Sequence, residues 1–137
     1  MTTGLMQTLH GGGHSLVVAK DGEVRTYDGP GVSDLLRLLA EGGETLRGAA
    51  VADKVVGKAA AALMVAGGIS SLDAAVVSSP AIALLRHYGI PVRCERVTPY
   101  IVNRKGTGMC PLELRCMDCT TAEECIARIH AFLDSKR

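Results

Sequence analysis

The chain has no tryptophan, one phenylalanine and three tyrosines in 137 residues. Stacking platforms for single-stranded nucleic acid are therefore almost missing, and a core has to be assembled from Ala, Val, Leu and Ile. Charge of one sign is also lacking: fifteen Lys and Arg face fourteen Asp and Glu, for a net +1, which supplies no long-range field to gather nucleic acid or anionic lipid. Nucleic acid is thus not an expected partner, and any taste for anions has to be local. No apolar run reaches the roughly 18 residues of a membrane span, and Met1-Thr2-Thr3-Gly4 lacks the charged lead-in of a signal peptide. The expectation is a cytoplasmic protein with no membrane association. Five cysteines, four of them at Cys110, Cys116, Cys119 and Cys125, fit free thiols or metal ligands in a reducing compartment better than a disulfide framework.

What is present suits one domain over residues 1–137, with 47% hydrophobic content sufficient for one core. Repeats, linkers and low-complexity tracts are not seen. A short helix is expected over Thr3–Leu9, followed by the loop His10-Gly11-Gly12-Gly13-His14, whose glycines make an ordered metal role for the two histidines costly. Ser15–Lys20 and Glu23–Tyr27 flank Asp21-Gly22, a strong hairpin signal. Leucines at helical spacing follow Ser33 and stop at Gly42-Gly43. Leu72–Ser78 reads as a buried strand, Pro80–Tyr88 as a helix stopped by Gly89, and Pro91–Val97 as the next, parallel strand. Cys94, alternating with apolar neighbours there, reads as a small buried residue. An extended piece at Tyr100–Asn103 leads to the basic loop Arg104-Lys105-Gly106-Thr107-Gly108. A helical turn then begins at Pro111, and Thr121–Lys136 forms a last helix with Thr121 and Glu124 spaced as a capping box. Helices on both faces of a mixed sheet imply an α/β fold, a three-layer α/β/α sandwich.

The stretch Val51-Ala52-Asp53-Lys54-Val55-Val56-Gly57-Lys58 reads as the opening of an apolar helix that runs through Ala59–Ala66 to Gly67-Gly68. On that reading Asp53 suits the positive end of the helix dipole, whereas Lys54 and Lys58 oppose it and, four apart, repel each other. A broken local rule on a buried element marks a candidate site, here for an anion.

The order hairpin, buried helix, strand, helix, strand resembles the cytidine-deaminase-like fold. Zinc deaminases place His/Cys-x-Glu at the start of the buried helix and Pro-Cys-x-x-Cys at the start of the next. At the matching places this chain has Ala52-Asp53-Lys54 and Pro80-Ala81-Ile82-Ala83-Leu84, so every ligand position is empty. Through the run Val51–Ala60 and the run Pro99–Pro111 the chain resembles a small prokaryotic family of unknown function that has this fold without the zinc motif. The resemblance implies the fold, argues against a zinc-dependent deaminase, and names no substrate.

If that fold holds, the ends of the Asp53 and Pro80 helices adjoin, and their free N–H groups with Lys54, Lys58, Ser78 and Ser79 would hold phosphate or carboxylate, as in a nucleotide or another small anionic metabolite. A crowded Lys54 is a candidate base or Schiff-base nucleophile, which would make the protein a metal-free enzyme. Asp53 would orient it or bind a ribose hydroxyl; alternatively Asp53 only caps the helix and both lysines reach solvent along their stems. Asn103, Arg104 and Thr107 belong to a loop able to bring backbone amides to an anion, though without a P-loop pattern. Cys110, before Pro111, is a candidate nucleophile or redox thiol; the other reading is a small residue at a tight turn, with Glu113 completing a capping box. No cofactor is implied on this hypothesis. The alternative is a non-catalytic redox or metal-binding module in which Cys110, Cys116, Cys119 and Cys125, spaced C-x5-C-x2-C-x5-C, hold zinc or an iron–sulfur cluster. A chain this short with so few aromatics could also gain core as a homodimer.

Overall fold

The computed structural model describes residues 4–102 and 105–135. Helix α1 (Gly4–Gly11) precedes a hairpin of β1 (Leu16–Lys20) and β2 (Glu23–Tyr27), which turns through Asp21 and Gly22 at φ +51° and +81°. Two successive positive φ values are what a tight two-residue turn between twisted strands demands. Helix α2 (Ser33–Ala40) follows and ends before Gly42 and Gly43, both at positive φ.

Residues 50–56 then depart from the sequence expectation. Ala50–Val56 is a strand, β3, and the buried helix begins only after Gly57, as α3 (Lys58–Gly67). Val51, Val55 and Val56 are β-branched and fit a pleated surface, and the segment is the central strand, paired antiparallel to β1 and parallel to β4. Burial between two neighbours outweighs the helical spacing of the two lysines. Helix α3 is walled in by its neighbours, with every residue from Lys58 to Met64 buried, and ends at Gly68 in the left-handed conformation, φ +72°.

The remaining elements are β4 (Ser71–Ser78), α4 (Ser79–His87), β5 (Val92–Thr98), α5 (Pro111–Cys116) and α6 (Ala122–Asp134). They occupy the places expected of them, apart from Lys136, which lies outside the described residues. The Thr121 hydroxyl accepts from Glu124 N–H at 3.1 Å, as an N-cap should. The sheet runs β2-β1-β3-β4-β5 with β3, β4 and β5 parallel, an α/β arrangement with a five-stranded mixed sheet. Met6 and Leu9 of α1 pack on Val17 and Ala52 from one face, and the larger core, including Val18, Val51, Leu72, Leu63 and Ile129, fills the other. Among the described residues no helix is long and apolar enough to cross a membrane.

Candidate functional site

In a parallel sheet, ligand sites form beyond the carboxyl ends of the strands. Here β3, β4 and β5 end at Val56, Ser78 and Thr98, and the chain passes directly into α3, α4 and the Pro99–Tyr100 turn. The first N–H groups of α3 have no partner within their helix, and its N-cap, Gly57, has no side chain to offer. The anion that completes them comes from the chain itself. Lys58 N–H donates to Glu113 Oε2 at 2.7 Å and Ala59 N–H donates to Glu113 Oε1 at 3.1 Å, both bonds buried.

The same segment accounts for the lysine. Lys58 is only 8% exposed, yet its amine turns away from its own helix and donates to the main-chain carbonyls of Met117, at 3.1 Å, and of Cys119. These carbonyls lie at and just past the C-terminus of α5, where a cation is favoured. Segment 113–119 and the start of α3 thus clamp each other with a carboxylate on one side and an ammonium on the other. The conflict read from the sequence is resolved because side chain and backbone of Lys58 serve different partners.

Beside the clamp, Ser78 is fully buried and its hydroxyl accepts from Ala81 N–H at 3.2 Å, capping α4, while exposed Ser79 donates to Thr98 O at 3.4 Å. Lys58 and Pro80 together border two hollows: a small one of about 30 Å³ with Tyr100, Met109 and Glu113 on its wall, and an open cleft of about 270 Å³ reaching His87, Cys119 and Thr120. The cleft approaches the lower end of small-molecule sites, about 300 Å³.

Asp53 and Lys54 do not join this group. Both lie within β3, upstream of its carboxyl end, so neither meets a helix dipole, and Lys54 is exposed with its N–H donating to Ser15 O at 3.2 Å. Partly buried Asp53 accepts from Val55 N–H at 3.3 Å, and burial pushes its carboxyl up to about 8. Asn103 and Arg104 lie outside the described residues, and Thr107 sits in the loop between Val102 and Met109, which are joined by an isolated antiparallel bridge.

Cys110 is the N-cap of α5, makes no side-chain cap bond there, and is half-buried. Cys116, at the other end of that helix, is buried with Cys119 and Cys125, and its thiol donates to the Cys125 carbonyl at 3.7 Å. Burial, reinforced by the neighbouring thiols, pushes Cys116 up to about 11 and Cys125 higher still. Both shifts favour the protonated thiol. Among the described residues no set of three or more His, Cys, Asp or Glu is arranged to hold a metal ion. Cys94 corrects the expectation of burial: β5 is an edge strand, and its side chain is exposed.

Glu113 is the site residue that sequence reasoning placed in another role. Its spacing after Cys110 suggested a cap for its own short helix, and only Gly57, a cap position with no side chain, hinted that a distant carboxylate was needed.

The solved crystal structure of a DUF1893 family protein, TM1506, from Thermotoga maritima is similar to this chain at a TM-score of 0.83 and 24% identity, over 96% of this chain and 91% of that one. At that identity the likeness speaks for the fold. No curated protein matches the chain. The profile of the family described as Domain of unknown function (DUF1893) matches residues 4–133, nearly the whole length, and the chain belongs to that family.

Proposed function

We propose that this protein is a cytidine-deaminase-like domain without the zinc motif that binds a small anionic ligand, a phosphate or carboxylate compound such as a nucleotide, at the amino end of α3. The strand order and the parallel β3–β4–β5 unit support the three-layer fold reading. With the buried helix starting at Lys58, the place of a metal-ligating motif is taken by Gly57-Lys58-Ala59 and by Pro80-Ala81-Ile82-Ala83-Leu84, none of which is a zinc ligand.

One observation carries the proposal: a carboxylate already sits on two N–H groups at this helix end, beside a buried ammonium, and next to a cleft open to solvent. Two free N–H groups at a helix end are an anion site, and on this reading Glu113 occupies it when no ligand does. Binding then requires Glu113 to yield, which couples ligand to the position of α5.

The test is thermal denaturation with inorganic phosphate and with nucleoside monophosphates, at matched ionic strength, for the wild type and Glu113→Ala. Emptying the position should make the variant gain more thermal stability from phosphate than the wild type does. If neither protein responds to these anions beyond the effect of ionic strength, the reading is overturned.

A further inference from the structure

The free edge of the sheet carries information that the site does not use. Leu72 N–H donates to Pro91 O at 3.0 Å and Leu72 stands opposite Val92. In a parallel ladder the main-chain groups of alternate residues then face the neighbour, so Arg93, Glu95 and Val97 bond toward β4. The N–H and C=O groups of Val92, Cys94 and Arg96 face outward. Residues Arg93 to Val97 are all exposed, and among the described residues no strand pairs with this edge; its guard is the charge of Arg93, Glu95 and Arg96, which a partner of matching charge pattern can accept.

We propose that β5 is a homodimer interface, in which two copies pair their β5 strands antiparallel about a two-fold axis at Cys94, joining their sheets. Charge fixes this register among the symmetric ones. A two-fold pairing sets outward-bonding residues opposite outward-bonding ones, so its centre falls on a residue, and a ladder of at least five residues within Val92–Thr98 centres on Cys94, Glu95 or Arg96. Centring on Glu95 or Arg96 puts like charges face to face, which destabilises a sheet. Centring on Cys94 instead places Arg93 opposite the partner's Glu95, and Glu95 opposite the partner's Arg93, in the closely spaced non-hydrogen-bonded positions where cross-strand side chains interact most. The outward main-chain groups of Cys94 meet their own copies, and those of Val92 meet the partner's Arg96.

Both charged residues are available for this. Arg93 is bonded to Asp73 at 3.0 Å but keeps 74% of its side chain exposed, and Glu95, 3.2 Å from His10, keeps 46%. The opposite edge fits less well. Strand β2 spans five residues against the seven of β5, which leaves too little strand for a long ladder.

Light scattering on the full chain across micromolar to several hundred micromolar concentration should give twice the chain mass. Glu95→Arg, which sets two arginines opposite each other, and Cys94→Pro, which removes an outward N–H that no bond among the described residues uses, should each give the monomer mass with the circular dichroism spectrum retained. In a Cys110→Ser background, a short bismaleimide should cross-link wild-type Cys94 into dimers and leave Cys94→Ser uncrosslinked. A wild type that stays monomeric throughout, or a dimer unaffected by both Glu95→Arg and Cys94→Pro, overturns the proposal.

Discussion

Gly57 and Glu113 are packed so closely that a Cβ on Gly57 would stand 2.7 Å from Glu113 Oε2, with Oε1 and Cδ nearer still. The backbone there is extended, at φ −98° and ψ −177°, so the glycine is required by proximity and not by conformation. Gly57→Ala should therefore destabilise the fold by about 1–3 kcal/mol, measured by urea denaturation. Combined with Glu113→Ala, which removes the obstructing carboxylate, its cost should shrink sharply. Additive losses would show that the two residues do not share this contact.

Removing the carboxylate alone has its own cost. Glu113→Ala leaves the Lys58 and Ala59 N–H groups buried and unpaired, at about 1–3 kcal/mol of unfolding free energy. Hydrogen exchange at the first turn of α3 should rise in this variant while exchange in β1 is unchanged. Unchanged protection at Lys58 and Ala59 would contradict the assignment.

Asp53 gives the stability a pH dependence of determinate sign. Its carboxyl is raised from 3.8 to about 8 by burial, so between these values the folded chain keeps a proton that the unfolded chain releases. Its effect is most favourable at the acid end and is lost progressively as pH rises through about 8, by at most about 1.4 kcal/mol per pH unit. Asp53→Asn should gain stability relative to the wild type from pH 5 to pH 8, with the gap widening throughout. Parallel melting curves for the two proteins would rule out the titration.

Thiol reactivity should divide along the structure. A coloured disulfide reagent at neutral pH should modify exposed Cys94 and half-buried Cys110 in the folded protein, and reach buried Cys116, Cys119 and Cys125 only on unfolding. Labelling of Cys116 or Cys125 at the speed of Cys94 would mean that these thiols are neither buried nor held protonated.

Tyr88 ties two helices together, its hydroxyl accepting from Ala122 N–H at 3.0 Å at the start of α6. Tyr88→Phe should lose about 1 kcal/mol, seen as a lowered thermal midpoint with the spectrum of the folded state intact.

The elements settled by the sequence are those whose causes are local. Asp21-Gly22 prescribes the hairpin turn, Thr121 caps α6, and Pro80 with Gly89 brackets α4, because turn and cap preferences act over a few neighbouring residues. Residues 50–56 were not legible in that way, since a strand with pairs on both sides draws its stability from β1 and β4 rather than from its own periodicity. The candidate site was half legible: the sequence located a conflict at Lys58 and named Ser78 beside it, while Asp53 and Lys54 fell away once their helix proved to be a strand. Only the tertiary structure could bring Glu113 and the Met117 carbonyl to Lys58, across more than fifty residues. It alone could decide that Cys94 lies on an edge, because a strand's exposure depends on its place in the sheet order and not on its own residues.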